Sequence, residues 1–191
     1  MKPSLADLFA LDEVPNAVTQ QFGLAEEICS ESEVGAAVDR IAVALTVALQ
    51  DMNPVVIAIM QGGLYFTGML MQRMVFPLQQ GYVHVGRYGE ETTGGELVWN
   101  ASNHPPLGGR HVLLVDDILD HGVTLKALHD WALQENASGV TSAVLVRKRV
   151  QEQAIEADYC ALQCEDRFLF GCGMDFSEYG RNLPSIYALP G

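Results

Sequence analysis

Three carboxylates, a glycine and a threonine follow one apolar stretch of the chain, within VLLVDDILDHGVTL at residues 112–125. They are Asp116, Asp117, Asp120, Gly122 and Thr124. Glycine lets a backbone approach an anion closely, and the free amides and dipole of a helix start suit a phosphate. Carboxylates beside such a loop would accept hydrogen bonds from ribose hydroxyl groups or bind a metal ion. A plainer interpretation, in which the acidic residues only cap a strand and a helix, explains one aspartate better than three at this spacing.

The surrounding pattern alternates strands and helices, which must position these residues. Short apolar runs indicate strands buried on both faces, and apolar residues at helical spacing indicate helices. The predicted strands cover 55–59, 82–85, 97–99, 111–115 and 139–146, and the predicted helices cover 33–50, 64–74 and 123–135. Strand, turn, helix and strand in succession predict an α/β fold: a doubly wound, mainly parallel twisted sheet flanked by helices. Ligands of such sheets bind outside the carboxyl ends of the strands.

A chain of 191 residues suits a single domain, 1–191, and is long enough to bury a substantial core. We expect the core to cover about 34–149. The tail from residue 150 is more irregular in pattern. We expect it to form a small hood lobe, over about 150–191, together with the N-terminal segment, 1–33.

The charge balance excludes some partners. Asp and Glu number 24 against 11 Lys and Arg, which gives a formal net charge of -13 and predicts no nucleic acid partner and no membrane partner. No apolar run approaches the roughly 20 residues that span a bilayer, and the acidic N-terminus does not resemble a signal peptide, so we expect a cytoplasmic protein. The four cysteines, none in a C-x-x-C pair, are expected to be reduced thiols. They are Cys29, Cys160, Cys164 and Cys172.

The 112–125 segment resembles the motif with which type I phosphoribosyltransferases bind 5-phosphoribosyl-1-pyrophosphate (PRPP). Further stretches, in the same order along the chain, resemble the hypoxanthine-guanine phosphoribosyltransferase family. They are 60–66, MQGGLYF, like its pyrophosphate loop; Arg87-Tyr88, like the start of its mobile loop; 144–148, VLVRK, like a strand ending in a purine-binding lysine; and 167–171 with 174–184, like its C-terminal signature. The resemblance covers most of 54–189.

The resemblance implies transfer of 5-phosphoribosyl from PRPP to hypoxanthine, guanine or both, giving IMP or GMP and pyrophosphate. The residues implied for PRPP are Asp116, Asp117, Asp120, His121, Gly122, Val123 and Thr124. Asp120 would also be the general base, on the imidazole side of the purine. Those implied for pyrophosphate are Gln61, Gly62, Gly63 and Arg181, while Arg87 and Tyr88 would belong to the mobile loop.

For the 6-oxopurine, the resemblance implies that Lys148 donates to the 6-oxo group and Phe168 stacks on the base. Leu169 would offer backbone groups, with Asp175 nearby. Mg²⁺ is the implied cofactor: Asp116 and Asp117 would help to place one ion, and Asp175 would ligate a second. A homodimer or homotetramer is the implied assembly.

Three residues depart from the family pattern. Gln61 replaces the usual Lys, His121 replaces the usual Thr or Ser, and Arg87 replaces the usual Ser. These departures bear on the affinity for PRPP more than on the reaction class, because each concerns a phosphate-facing position.

Two other functions remain open at this point. A regulatory protein could keep the fold as a PRPP or nucleotide sensor without turnover, which the neutral Gln61 favours and the intact Asp120, Lys148 and Arg181 oppose. A phospho-accepting receiver domain also has a strand running into paired aspartates. Its pair lies near the N-terminus of the domain, whereas Asp116 and Asp117 lie past the midpoint of this chain.

Overall fold

A computed structural model describes residues 4–87 and 97–190. At Arg87 and Leu97 it describes the backbone but not the side chain. Tyr88 and the remainder of the glycine-rich segment lie outside the described residues. The helices are α1 (Leu5–Leu8), α2 (Asn16–Leu24), α3 (Glu31–Leu49), α4 (Gly63–Met71) and α5 (Val123–Gln134). The strands are β1 (Glu26–Cys29), β2 (Val55–Met60), β3 (Gln79–Arg87), β4 (Leu97–Asn103), β5 (His111–Leu119), β6 (Gly139–Lys148), β7 (Tyr159–Cys164), β8 (Leu169–Phe170) and β9 (Ile186–Ala188).

Six strands form the main sheet, in the order β4-β3-β2-β5-β6-β7. Every neighbouring pair in it is parallel except β3 and β4, which form an antiparallel pair at one edge. After β2 the chain adds strands on one side of the sheet, and after β5 it adds them on the other. The direction of winding therefore reverses between β2 and β5, and ligands of open α/β sheets bind at such a switch point. The predicted fold class, a mainly parallel sheet flanked by helices, is confirmed.

Apolar residues of the central strands point alternately to the two faces of the sheet, which explains why the runs are continuous. Val56 and Leu113 pack beneath α3 and α4, whereas Ile57 and Leu114 pack beneath α5. The start of α3 is fixed by a capping box, in which the Ser30 side chain accepts from the Glu33 amide and the Glu33 carboxylate accepts from the Ser30 amide. Helices thus cover both faces and hold the strand ends in fixed positions.

A second, three-stranded sheet joins the two ends of the chain, in the order β1-β9-β8 with antiparallel pairs. Helix α2 packs on it through Phe22, whose ring stacks on Phe170 at 4.3 Å between centroids. The structure differs from the expected hood at β7, which pairs with β6 at the edge of the main sheet. Its side chains contact core residues on both faces, as Tyr159 and Cys160 do, so this part of 150–191 completes the core.

None of the helices in 4–87 and 97–190 combines the length and the hydropathy that a membrane crossing requires.

Candidate active site

The phosphate loop, defined as residues 120–124, lies where β5 turns into α5. Strand β5 continues to Leu119, so Asp116 and Asp117 lie within the strand, where Asp116 is paired with Val144 of β6. Gly122 takes a left-handed conformation, with φ of 74°, and immediately precedes α5. A Cβ there would lie 3.1 Å from the Ile155 carbonyl oxygen. Glycine is therefore required both by the conformation and by the crowding, and no side chain at this position blocks the helix start.

Hydrogen bonds from Gln153 and Ala154, which no sequence pattern marks, hold the phosphate loop in place. The Ala154 amide donates to the His121 carbonyl at 2.8 Å. The Gln153 side-chain Nε2 donates to the Asp120 carbonyl at 2.9 Å and to the Lys148 carbonyl at 3.3 Å. Gln153 thus ties the end of β5 to the end of β6. It stands in a polar stretch without periodicity, so no local pattern marks it.

The paired carboxylates of β5 face a cavity of about 310 Å³, which is also lined by Asp120, Gly122, Thr124 and Arg181. Burial raises the pKa of Asp116 well above its usual range, and the adjacent charge of Asp117 raises it further. Burial also raises the pKa of Asp117, although a hydrogen bond with Asp116 and the charge of Arg181 oppose that rise. Two carboxylates held this close in a partly dry site favour a ligand that brings hydroxyl donors or positive charge.

The turn after β2 packs against the paired carboxylates with no room for side chains. The Met60–Gln61 peptide bond is cis. A Cβ on Gly62 would lie 1.8 Å from Asp117 Oδ2, and one on Gly63 would lie 2.5 Å from the Val115 carbonyl oxygen. Backbone, rather than side chain, therefore faces the carboxylates at this turn.

The C-terminal signature reaches the same turn from the other side. A Cβ on Gly173 would lie 2.1 Å from the Gly62 carbonyl oxygen. Arg181 Nη1 donates to the Gly173 carbonyl at 2.9 Å, and its Nη2 lies 2.7 Å from Asp175 Oδ1. Its Nε is buried and has no hydrogen-bond partner among the described residues. The guanidinium is thus fixed at the cavity wall by its contacts with Gly173 and Asp175.

Gln61 occupies a different position from the other residues predicted to bind pyrophosphate. It is exposed and lines a cavity of about 410 Å³ together with Leu64, Tyr65 and Asn182. Arg181 lines both this cavity and the one that holds the carboxylates. Gln61 therefore lines a cavity next to the carboxylate cavity, with Arg181 shared between the two. His121 is likewise directed outward, with 57% of its side chain exposed.

The predicted purine-binding residues line a cavity of about 200 Å³, next to the carboxylates. Its walls include Asp117, Asp120, Lys148, Phe168, Leu169 and Asp175. Phe168 is 52% exposed and meets Phe176 edge to face at 5.7 Å, so its ring stands at the rim. The structure thus brings together residues that lie up to 58 positions apart in the chain, from Asp117 to Asp175.

Lys148 carries the positive charge of this pocket. Its Nζ lies 3.1 Å from Asp120 Oδ2 and 3.2 Å from Asp166 Oδ1, and only 13% of its side chain is exposed. Burial alone would lower the pKa of Lys148, but hydrogen bonds to Asp120 and Asp166 outweigh burial and raise it. The lysine is therefore a permanent cation. Asp166 is a second residue that sequence reasoning missed, since it stands in an ordinary charged run, EDR.

The predicted metal ligands do not form a ready-made metal centre. Across the described ranges, no three His, Cys, Asp or Glu side chains come together in a way that could hold an ion. Asp175 is already engaged, because Oδ1 pairs with Arg181 and Oδ2 accepts from the Glu178 amide at 2.8 Å. The role of Asp175 as ligand of a second Mg²⁺ stays a prediction. The two β5 carboxylates fit an ion that arrives with a phosphate ligand, as Mg²⁺ commonly does.

Fold and site together define an α/β protein with paired carboxylates and a glycine turn at its switch point and an aromatic-rimmed pocket beside them. Residues 25–177 match the phosphoribosyl transferase domain family. The chain therefore belongs to that family, and the receiver-domain alternative is wrong.

Individual relatives agree with this assignment. The chain is 32% identical over 166 residues to a hypoxanthine-guanine phosphoribosyltransferase of Streptococcus pneumoniae, which covers 85% of this chain and 91% of that protein. It is 29% identical over 159 residues to a hypoxanthine-guanine-xanthine phosphoribosyltransferase of Tritrichomonas foetus, covering 82% of this chain and 87% of that protein. A hypoxanthine phosphoribosyltransferase structure from Staphylococcus aureus superposes with a TM-score of 0.82 at 25% identity, covering 93% of this chain and 97% of that one.

Proposed function

We propose that this protein is a purine salvage enzyme that transfers 5-phosphoribosyl from PRPP to hypoxanthine, guanine or both. The observation that carries the proposal is the Lys148–Asp120 pair, 3.1 Å apart, beside the phosphate loop. Lys148 is a cation that can donate to a 6-oxo group, and Asp120 is a carboxylate that can accept a proton from a purine. The two lie side by side, next to the place where the ribosyl group of PRPP would bind. The names of the relatives support the same reaction.

The ribose 5-phosphate part of PRPP would bind at β5 and the phosphate loop. The amides of residues 121–124 and the α5 dipole would hold the 5-phosphate. Asp116 and Asp117 would accept hydrogen bonds from the two ribose hydroxyl groups. Because the loop is braced by Gln153 and Ala154, it would need little rearrangement on binding.

The leaving pyrophosphate would lie between the Gly62–Gly63 turn and Arg181. The bond to the anomeric carbon breaks with negative charge developing on pyrophosphate, so fixed donors there favour the transition state. Mg²⁺, held by Asp116 and Asp117 together with substrate oxygens, would supply further positive charge.

The base would bind in the Lys148 pocket, under Phe168. Lys148 would donate to the 6-oxo group and would oppose a 6-amino group. Asp120 would accept the proton that the imidazole side of the purine loses as the new bond forms. Leu169 would present backbone groups to the edge of the base, with Asp175 beside it.

The alternative of a PRPP or nucleotide sensor without turnover rests on Gln61, which removes one cation from the pyrophosphate side. Arg181 supports catalysis instead, because it supplies a cation at the wall of the cavity that holds the paired carboxylates. We therefore favour the enzyme.

We further propose that the whole chain acts as one cytoplasmic domain that assembles into a homodimer or homotetramer. Exposed apolar side chains on α3, such as Val43 and Val47, support an additional contact surface. Light scattering on the purified protein will give the assembly.

The substrate test is an assay of purified protein with PRPP, Mg²⁺ and one base at a time. Hypoxanthine, guanine, xanthine and adenine should be compared, since the Tritrichomonas foetus relative is named for three of them. We expect IMP and GMP to form and AMP to form far more slowly. Equal rates with adenine and hypoxanthine would contradict the role given to Lys148.

A further inference from the structure

The Lys148 ammonium is shared between two carboxylates that come from different parts of the chain. Asp120 follows β5, while Asp166 stands in the turn between β7 and β8. Both contacts are hydrogen-bonded ion pairs, at 3.1 Å and 3.2 Å. An ammonium has three N–H groups, so one remains for the base.

The two carboxylates differ in where they stand. Asp120 lines both the cavity around Lys148, called here the base cavity, and the cavity that holds the paired carboxylates of β5. Asp166 does not line the base cavity, and 63% of its side chain is exposed. Asp120 is thus placed to meet a substrate, whereas Asp166 contacts the site only through Lys148.

Proton transfer makes this difference important. When Asp120 accepts the purine proton, its carboxyl becomes neutral and stops compensating the charge of Lys148. A nearly buried ammonium without a counter-charge is strongly unfavourable. Asp166 lies outside the base cavity and takes no part in this proton transfer, so the ammonium keeps its second partner while Asp120 is protonated. Without Asp166, Asp120 would be the sole counter-ion of Lys148, and its protonation would be opposed.

The turn that carries Asp166 is held in place independently. Arg167 Nη1 pairs with Glu26 at 2.8 Å, whereas the Arg149–Glu165 pair, at 2.9 Å, is exposed on both sides and contributes little. The Arg167 amide donates to the Glu165 carbonyl at 2.9 Å, which closes the turn. Each charged residue of this run has its own partner, so removing the Asp166 charge should leave the turn intact.

We propose that Asp166 is a positioning residue that keeps Lys148 charged and in place, and so leaves Asp120 able to accept the purine proton. This role rests on the proposed transfer reaction. It predicts an effect of Asp166 on the chemical step rather than on the binding of PRPP.

The test compares Asp166→Asn with Asp166→Glu and with Glu165→Gln, a matched control that removes one negative charge from the adjacent residue. The rate of nucleotide formation is measured in a single turnover, with PRPP and Mg²⁺ saturating, so that product release does not mask the chemistry. The Kd for PRPP and the Tm are measured in parallel. We expect Asp166→Asn to slow the single turnover about tenfold, the scale of a hydrogen bond to a charged group. PRPP binding and Tm should stay near wild type.

The two other variants separate positioning from structure. Asp166→Glu should recover most of the rate, because it restores the charge, and Glu165→Gln should match wild type. A wild-type rate in Asp166→Asn would overturn the proposal. A slow Asp166→Asn with a much lower Tm and no recovery in Asp166→Glu would also overturn it, since that pattern is purely structural. A wild type that forms no nucleotide would contradict the proposed function itself, and the role of Asp166 would fall with it.

Discussion

The half of the site that we propose faces the phosphates is built mainly from backbone, whereas the half that we propose faces the base is built from charged side chains. At the phosphates, Gly62, Gly122 and Gly173 each stand where a Cβ would meet neighbouring atoms at 3.1 Å or less. At the base, the Lys148 ammonium is held by Asp120 and Asp166. The first half depends on the path of the chain, and the second depends on which charges are present.

This difference accounts for where the chain departs from its family. The three departures, Gln61, His121 and Arg87, are all predicted at phosphate-facing positions, while the predicted base-binding residues Lys148 and Phe168 follow the family pattern. A phosphate that is held by amides tolerates a changed side chain, because the donors remain. A base that is held by a single cation has no other donor to replace it.

The largest effect is expected from Asp120→Asn, which keeps the shape of the side chain but removes the general base. Loss of a general base typically lowers the rate by about 10²–10⁴-fold, so we expect kcat to fall by that much. PRPP binding should change little, because the backbone of the phosphate loop is retained. Glu156→Gln, on an exposed ion pair with Arg147, is the control. An unchanged kcat in Asp120→Asn would remove Asp120 from the chemistry.

Lys148→Ala should lower the preference for hypoxanthine over adenine. The lost hydrogen bond to a charged donor is worth about 1.5–3 kcal/mol, so the ratio of the two kcat/KM values should drop roughly tenfold to a hundredfold. Lys126→Ala removes an exposed lysine that pairs with Asp130 on α5, and it should leave the ratio unchanged. If both variants keep the wild-type ratio, another group reads the 6-position.

Gly62→Ala tests the backbone half. The new Cβ would lie 1.8 Å from Asp117 Oδ2, so either the turn or the carboxylate must move. Such overpacking costs about 1–3 kcal/mol, and we expect PRPP affinity to fall about tenfold with a lower Tm. Gly68→Ala, in helix α4 just after the turn, is the control, because nothing lies within 4 Å of a Cβ added there. A Gly62→Ala protein that binds PRPP normally would show that the turn is not part of the site.

The smallest effect is expected from Gln61→Lys, which restores the usual cation at an exposed position. One charge interaction in a wet site is worth roughly 1 kcal/mol, so PRPP binding should tighten several-fold at limiting Mg²⁺. Saturating Mg²⁺ should hide most of the gain. Titrating PRPP against both proteins at two Mg²⁺ concentrations measures this. An effect that is absent, or equal at both concentrations, would mean that position 61 does not face the pyrophosphate.

Sequence alone could predict the features that local patterns encode. Apolar runs predicted β2, β5 and β6, and Gly122 predicted the turn into α5. The end of β5 was misplaced, because pairing continues past the apolar run, with Ile118 opposite Val146 and Leu119 opposite Arg147. Hydrogen bonds to a neighbouring strand, rather than hydropathy, decide where such a strand ends.

Contacts between distant segments could not be predicted in the same way. Gln153 and Asp166 are polar residues in polar surroundings, and their roles arise only when the ends of β5, β6 and β7 meet. Strand β7 was missed because its partly exposed residues give no clear alternation. The engaged carboxylate of Asp175 was missed for a related reason, since its pairing with Arg181 depends on the turn between them.

The central claim is that the two halves act together on PRPP and a 6-oxopurine. The most direct test is one time course in which IMP and pyrophosphate are both measured, starting from PRPP, hypoxanthine and Mg²⁺. We expect the two products to appear in equal amounts, and neither to appear when PRPP or hypoxanthine is omitted. Tight binding of PRPP with no pyrophosphate released in the presence of hypoxanthine or guanine would contradict the account and would identify the protein as a sensor.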